Sequence, residues 1–282
     1  MSGSPSHDSP VEVVGAERLD DLAALEPVAE AIFGRGDRQP RWFARKLIRE
    51  GVEPRLSSLL IRTPASDVGP EPEPVGYALV GSAPSRPGVV RGAGVGVAPD
   101  LRGRGHGGQL LVATRERARA AGFAAIEFLA EPARLDWYRR HGYEVVEEQL
   151  TLVAPGLGPP GATPRVDLDA PPVTPRPTSG ATAWSWIPEH WDRTPARERA
   201  YREVGGVHVW LTREGRAWLV HRCELADAAA LIPGLTDLRR QLEPSAPLLL
   251  YPCPADAHWL ADLYSAGFGA AQRSFVVRRG TG

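Results

Sequence analysis

A glycine-rich segment with two arginines offers the clearest chemistry in this 282-residue sequence. It begins at Asp100 and includes Arg102, Gly103, Arg104, Gly105, Gly107 and Gly108. Glycines leave the backbone amides open to a ligand, and amides at the start of a helix carry partial positive charge. Arginine adds charge-assisted donors. The segment therefore predicts a binding site for an anionic phosphate group.

Other interpretations of this segment fit less well. A Walker loop is excluded because no Gly-Lys-Ser or Gly-Lys-Thr follows. A dinucleotide-binding fingerprint fits poorly, because the preceding order of helices and strands is wrong and no ribose-binding acid follows the next strand convincingly. A solvated turn without a ligand is the plain alternative, but so many glycines in so short a span argue against it.

Two motifs together resemble a known family. The pattern Arg102-x-x-Gly105-x-Gly107, preceded by the strand-like run Val95–Pro99, resembles the acyl-CoA pyrophosphate loop of the GNAT acetyltransferase superfamily. The later run Trp-Tyr-Arg-Arg-His-Gly-Tyr, at residues 137–143, resembles the short tyrosine helix of that superfamily, which ends in a glycine and an aromatic residue. The resemblance covers roughly residues 10–153, and it implies the GNAT fold with acetyl-CoA as co-substrate.

The resemblance also implies a role for each residue of the motifs. Backbone groups of Val95 and Val97 would pair with the pantetheine arm, and the amides of the glycine loop would hold the pyrophosphate. Tyr138 would be catalytic and protonate the departing thiolate, because an unperturbed phenol with a pKa of ~10 stays protonated at neutral pH. The plain alternative for this tyrosine is a half-buried structural residue. The implied cofactor-binding residues are Val95, Gly96, Val97, Arg102, Gly103, Arg104, Gly105, His106, Gly107 and Gly108.

The sequence departs from the family pattern in one respect. Many members carry a glutamate on the strand before the loop to deprotonate the amine, whereas residues 88–98 contain no acid here. A base would have to come from elsewhere, and Glu127, Glu131, Asp136 and His141 are the candidates left open. For each of them a surface or structural role is the preferred interpretation over that of a base. No metal is required for direct attack of an amine on a thioester.

Hydrophobic periodicity and Gly/Pro punctuation predict the elements that position these motifs. Strands are expected at Val11–Val14, Ser58–Arg62, Val75–Val80, Val89–Val97, Ala125–Leu129 and Tyr143–Val153. Helices are expected at Leu19–Phe33, Arg41–Glu50, Gln109–Ala121 and Ala133–Arg140. Within the fourth strand Gly92, Gly94 and Gly96 alternate, which predicts close approach of a ligand or of backbone to one face.

The second half of the chain resembles the first. Strands are expected at Val207–Thr212, Ala217–His221, Pro247–Tyr251 and Ala271–Arg278, and helices at Thr194–Val204, Leu231–Leu242 and Asp256–Ala266. Its end, Asp-Leu-Tyr at 262–264 followed by Gly267-Phe268, matches Asp-Trp-Tyr at 136–138 followed by Gly142-Tyr143. Together with the order of elements, this match predicts an internal duplication.

The second copy lacks the phosphate loop. After the strand ending at His221 it has Cys-Glu-Leu-Ala-Asp at 223–227, with no glycine and with two carboxylates that would repel a pyrophosphate. We therefore expect a degenerate lobe that does not bind CoA, an arrangement similar to tandem GNAT proteins of the mycothiol synthase type. The tryptophans of this half are expected in the core and the lobe interface. An aromatic wall at residues 184–191 over an acceptor site is the alternative.

Composition excludes several other classes of protein. Lys+Arg 33 against Asp+Glu 34 gives a net charge of −1, so a nucleic-acid binder or a polybasic membrane protein is not expected. The polar N-terminus does not predict a signal peptide, and two cysteines are too few for a disulfide framework. A single lysine, Lys46, beside abundant arginine, Gly and Pro suggests a bacterial source. The expected location is cytoplasmic.

These observations combine into one prediction. The fold is α/β (α+β), with a mixed, mostly antiparallel GNAT-type sheet flanked by helices and repeated as two lobes. The predicted parts are a disordered lead-in at 1–10, a catalytic domain at 11–153, a Pro/Gly-rich linker at 154–180 and a degenerate domain at 181–282. The expected function is acetyl transfer from acetyl-CoA to a primary amine of a small molecule, by a monomer or weak homodimer. O-acylation, decarboxylation and non-catalytic acyl-CoA binding are the alternatives.

Overall fold

The computed structural model describes residues 10–34, 41–63, 72–157, 181–185, 189–225, 227–242 and 245–282. For residues 181–185 the structure describes the backbone alone. Residues 1–9 of the predicted lead-in and residues 158–180 of the predicted linker therefore lie outside the described residues. The same holds for residues 186–188 of the predicted aromatic wall at 184–191.

The described residues form twelve strands and seven α-helices, together with short 3-10 helices. The strands are β1 (Val11–Gly15), β2 (Ser58–Arg62), β3 (Glu73–Ser82), β4 (Val89–Val97), β5 (Ala125–Ala130), β6 (Glu144–Ala154), β7 (Ala181–Ser185), β8 (Arg199–Val204), β9 (Val207–Glu214), β10 (Ala217–Leu225), β11 (Leu248–Pro254) and β12 (Gly269–Gly280). The helices are α1 (Glu26–Phe33), α2 (Trp42–Glu50), α3 (His106–Ala120), α4 (Leu135–Arg140), α5 (Glu189–Arg193), α6 (Leu231–Gln241) and α7 (Leu260–Ser265). None of these helices is long and apolar enough to cross a membrane.

Contacts between backbone positions divide the chain into two compact units. The first consists of residues 1–128, 138–144 and 278–282, and the second of residues 129–137 and 145–277. Residues 145–153, which the sequence analysis assigns to the first domain, thus lie in the second unit. The predicted domain limits themselves stay a prediction.

The first unit holds strands β1 to β5 in sequence order. All neighbours are antiparallel except β4 and β5, which are parallel. Residues of α1 and α2 pack with Tyr77, Leu79 and Ala93 in one apolar core. A separate core joins Leu110 of α3 to other residues of β2, β3 and β4. Helices α1 and α2 therefore pack with the sheet in one apolar core, and α3 packs with it in a separate apolar core.

The second unit repeats this pairing scheme. Strands β8, β9 and β10 are antiparallel neighbours, and β10 is parallel to β11, just as β2, β3, β4 and β5 are arranged. A β-bulge places one extra residue, Ala93, in β4 opposite β3, and another, His221, in β10 opposite β9. Because order, direction and bulge all recur, the repeated mixed α/β fold with a mostly antiparallel sheet is confirmed.

Two predicted elements of the second half need correction. The predicted helix at Thr194–Val204 is wrong, because its second part is strand β8. Gly205 and Gly206 both have positive φ, which is the backbone of a tight hairpin turn, and this turn pairs Val204 with Val207. The segment from Cys223 to Leu225 is also not a loop, because β10 continues through it.

Gly234 allows α6 to approach the β8–β9 hairpin closely. A Cβ atom at this position would lie 2.3 Å from Cγ2 of Val207 and 2.8 Å from the carbonyl oxygen of Val204. Alanine favours a helix over glycine by about 1 kcal/mol, but overpacking a close contact costs about 1–3 kcal/mol. We therefore expect Gly234→Ala to lower the free energy of unfolding, measured by urea denaturation. Gly269→Ala, with open space at the Cβ position, is the control, and an unchanged urea midpoint in Gly234→Ala would contradict the prediction.

Candidate functional site: an open strand edge beside a glycine loop

Strand β4 has an open edge over most of its length. Its parallel pairing with β5 covers only Val89 to Arg91, which face Ala125 to Glu127. From Gly92 to Val97 it keeps β3 on one side, and no strand of the described residues pairs with the other side. The two strands therefore separate after Arg91, and backbone groups of β4 become available to a ligand.

The register shows which residues face the open edge. The amide of Ala98 donates to the carbonyl of Val75 on β3 at 2.8 Å. Backbone groups alternate in direction along a strand, so those of Gly96 also face β3, and those of Val95 and Val97 face the open edge. The Nε of Arg102 donates to the Val97 carbonyl at 3.1 Å. The groups left for a ligand are thus both backbone groups of Val95 and the amide of Val97.

The glycine loop connects this edge to the first turn of α3. Gly103 and Gly105 have φ values of +78° and +84°, which glycine adopts without strain, and a Cβ atom at either would meet nothing within 4 Å. Gly105 is the N-cap of α3 and has no side chain to cap the helix. Among the described residues, no hydrogen-bond acceptor is found for the amides of residues 103–107. These amides are the donors that a diphosphate would need.

The charges around the loop favour an anion. Asp100 is the one acid between residues 99 and 108, and its carboxylate forms an ion pair with Arg62 at 2.5 Å. Arg104 is exposed, and within the described part of the chain its side chain has no ion pair. His106 lies at the first position of α3, where its Nδ1 is 3.1 Å from Oε1 of Gln109. Positive and neutral groups therefore surround the free amides.

Two predicted phosphate ligands have structural contacts instead of free donors. Besides its bond to Val97, Arg102 donates from Nη2 to the carbonyl of Ile32 at 3.0 Å, which ties the end of α1 to the end of β4. The amide of Gly108 donates to the carbonyl of Gly105 at 3.0 Å. A Cβ atom at Gly108 would lie 2.5 Å from Nε2 of His141, so this glycine makes room for the residue that follows α4. The end of the tyrosine helix and the start of α3 are thereby adjacent.

Tyr138 lies on α4 within a cluster of three aromatic rings. It is 4% exposed, and its ring centroid lies 5.7 Å from that of Phe128 and 5.4 Å from that of Tyr143. Burial raises the pKa of Tyr143 well above its ordinary value, so Tyr143 stays protonated. The structure therefore holds Tyr138 in a fixed place in the first unit, while the matching tyrosine of the second unit, Tyr264, is 45% exposed.

Among the candidate bases, Glu127 has a structural position. It is fully buried on β5, and its Oε1 accepts from Arg86 at 3.1 Å and from Nε of Arg278 at 2.7 Å. Its Oε1 is thus occupied by two guanidinium groups, which gives Glu127 a structural role. Glu131 and Asp136 are exposed, and His141 is partly exposed.

The three alternating glycines of β4 have separate structural reasons. A Cβ atom at Gly92 would lie 2.0 Å from the Phe128 ring, and one at Gly96 would lie 2.5 Å from Cγ2 of Ile32. Gly94 has a φ of +148° beside the bulge. The side chains of Phe128 and Ile32, and not a ligand or backbone, thus explain why positions 92 and 96 are glycine. Sequence reasoning missed Phe128 and the structural part of Arg102, because both depend on tertiary contacts.

The corresponding edge in the second unit is filled. By the matching bulges, Cys223 and Leu225 of β10 occupy the places of Val95 and Val97. Strand β7 pairs antiparallel with this part of β10, with Cys223 opposite Trp184 and Leu225 opposite Ala181. No glycine lies between β10 and α6, and the side chain of Asp227 accepts from the amide of Ala229. Among the described residues of the second unit, a strand thus occupies the edge that is open in the first unit, and a side chain binds one amide before α6.

Comparisons with known proteins agree with this site. Residues 70–145 match the family model described as Acetyltransferase (GNAT) domain. The loop, the tyrosine helix and the open edge all lie within these residues. No curated protein matches the sequence.

Solved structures of similar fold extend over the whole chain. A GCN5-related N-acetyltransferase from Sphaerobacter thermophilus has a TM-score of 0.59 at 16% identity, covering 98% of this chain and 96% of that one. A tandem GNAT protein from the clavulanic acid biosynthesis pathway has a TM-score of 0.57 at 16% identity, covering 97% and 99%. A GCN5-related N-acetyltransferase from Kribbella flavida has a TM-score of 0.55 at 16% identity, covering 98% and 72%.

The predicted superfamily is thus confirmed, whereas a particular similarity to the mycothiol synthase type stays a prediction. The fold is shared with these structures along both units, and the family model covers the residues that form the site in the first unit. The chain therefore carries a GNAT acetyltransferase domain at residues 70–145, which is the domain of an acyltransferase.

Proposed function

We propose that this protein transfers an acetyl group from acetyl-CoA to a primary amine of a small molecule, and that it does so in the first unit as a monomer or weak homodimer. The observation that carries the proposal is the open edge of β4, which leads directly into a loop of free amides. A pantetheine arm carries two amides that can pair with such an edge, and the diphosphate that follows it requires the anion site of the loop.

The residues present fit this donor. Val95 and the amide of Val97 would bind the arm, and the amides of residues 103–107 with Arg104 and His106 would bind the diphosphate. Arg102 would act by holding β4 and α1 in place. Gly103 and Gly105 leave open space over the loop, so a phosphate can approach the backbone. Each of these assignments follows from the direction or the exposure of a named group.

In the proposed reaction the amine attacks the thioester carbonyl directly. Binding both reactants in one cleft supplies the main advantage, because a positioned attack replaces an encounter in solution. A backbone amide at the open edge can polarise the thioester carbonyl. The hydroxyl of Tyr138 donates a proton to the sulfur as the carbon–sulfur bond breaks, and the amine loses its proton to solvent or to a base.

The experiment that tests the function is turnover of acetyl-CoA with a panel of primary amines. Release of the free thiol, followed with a thiol reagent, together with an acetylated amine found by mass spectrometry, is the expected result. Thiol release with alcohols alone would instead indicate O-acylation. Tight binding of acetyl-CoA without thiol release for any acceptor would identify a binding protein and contradict the proposal.

The number of binding sites follows from the two strand edges. The edge of β4 is open, whereas that of β10 is paired with β7. We therefore expect calorimetry with CoA to give one site per chain. Arg104→Glu, which reverses an exposed charge beside the loop amides, is expected to weaken that site. Two sites per chain would contradict this assignment.

A further inference from the structure

The ring of Phe128 stands at the point where β4 and β5 separate. The last paired residues are Arg91 and Glu127, so Gly92 and Phe128 are the next residues on the two strands. Phe128 is 2% exposed, and its ring packs against Tyr138 at 5.7 Å and Tyr143 at 5.8 Å between centroids. It therefore lies between the start of the open edge and the tyrosine that we propose as the proton donor.

Gly92 provides the space for this ring. A Cβ atom there would lie 2.0 Å from Cδ1 and 2.4 Å from Cε1 of Phe128, far inside van der Waals contact. The φ of Gly92 is not in the left-handed region, so the backbone would accept any residue. The absence of a side chain thus matters only because Phe128 occupies that volume.

We propose that Gly92 and Phe128 together position Tyr138, and this inference rests on the proposed function of Tyr138. Any side chain at position 92 displaces the Phe128 ring, and the ring in turn displaces the phenol that packs on it. Tyr143 closes the third side of the cluster, 5.4 Å from Tyr138, so the displaced ring cannot move away freely. Neither Gly92 nor Phe128 contributes a group that could take part in the proton transfer.

The expected effect is on kcat and not on binding of acetyl-CoA. A displacement of about 1 Å in a reacting group can cost on the order of 100-fold in rate. We expect Gly92→Ala to lower kcat by about 10- to 100-fold on this basis. The affinity for acetyl-CoA is expected to stay nearly unchanged, because the groups of Val95, Val97 and the loop are untouched.

Two double variants separate positioning from a general loss of packing. In the Tyr138→Phe background, Gly92→Ala is expected to cause no further loss of kcat, because its effect passes through the missing hydroxyl. Gly92→Ala combined with Phe128→Leu is expected to have a higher kcat than Gly92→Ala alone, because the smaller side chain leaves room for the new methyl group. If Gly92→Ala by itself folds poorly, the combination with Phe128→Leu still permits the test, because it removes the clash at position 92.

Gly234→Ala in the second unit is the matched control, because it introduces a comparable clash at 2.3 Å from a side chain. It is expected to lower stability without lowering kcat. An equal loss of kcat from Gly92→Ala in the presence and absence of the Tyr138 hydroxyl would overturn the positioning proposal alone. An unchanged kcat in Tyr138→Phe itself would overturn the proposed proton donor as well, so the two failures are distinguishable.

Discussion

Gly105→Glu is expected to abolish binding of acetyl-CoA at ordinary concentrations. The substitution adds a negative charge at the N-cap of α3, where we propose that the diphosphate binds, and it places a side chain over the free amides. Two like charges about 4 Å apart repel by about 4 kcal/mol at the effective dielectric of a protein surface. Since 1.4 kcal/mol corresponds to a factor of ten, the dissociation constant should rise by at least about 100-fold. Calorimetry with CoA measures this dissociation constant.

Two companion variants isolate the cause. Gly122 follows the opposite end of α3. Its φ is +86° and that of Gly105 is +84°, and a Cβ atom at either position would meet nothing within 4 Å. Gly122→Glu therefore introduces the same backbone strain and the same charge without touching the loop, and it should bind acetyl-CoA normally. Gly105→Asn, which tolerates the left-handed backbone without a charge, should lose less affinity than Gly105→Glu. Equal losses at Gly105 and Gly122 would contradict a phosphate site at this helix start.

Local sequence determines much of this site, which is why it could be predicted. The structure has β4 at the predicted Val89–Val97, and α3 begins at His106, three residues before the predicted start. Gly103 and Gly105 adopt positive φ, a property that glycine expresses wherever a tight turn is needed. Signals of this kind depend on neighbouring residues, so they can be recognised in one sequence.

The parts that could not be predicted depend on contacts between distant residues. The hydrogen bond from Arg102 to Ile32 spans 70 positions, and the contact between Gly92 and Phe128 requires the separation of two strands. The pairing of β7 with β10 joins residues about 40 positions apart in sequence. The alternating glycines of β4 predicted close approach of a ligand or of backbone, whereas the side chains of Phe128 and Ile32 are what crowd Gly92 and Gly96.

The error at Thr194–Val204 has the same origin. Its residues are compatible with a helix, and the outcome is decided by Gly205 and Gly206, which form the turn, and by β9, which supplies the hydrogen bonds. Strand preference is weak in itself and depends on the partner strand. Cys223 and Cys253 are both free and fully buried, and burial raises the pKa of Cys223.

Tyr138→Phe is expected to lower kcat by about 100-fold, at the low end of the range for general-acid catalysis, because a thiolate is a fairly good leaving group. The variant keeps the aromatic ring that packs on Phe128 and Tyr143, so the fold and the affinity for acetyl-CoA should be nearly unchanged. Negative charge builds on sulfur only in the transition state, and an interaction made only there affects kcat. Steady-state kinetics measures kcat and calorimetry measures the affinity for acetyl-CoA, so both methods are applied to one preparation of the variant.

Tyr264→Phe is the matched control for this prediction, because the second unit repeats the helix, the turn and the tyrosine. Tyr264 is 45% exposed where Tyr138 is 4% exposed, and the strand edge of its own unit is occupied by β7. Removing its hydroxyl should therefore leave turnover at the level of the unmodified protein. If the two substitutions lowered kcat equally, or if Tyr138→Phe left it unchanged, the proton donor of this reaction would have to be a group other than the Tyr138 hydroxyl.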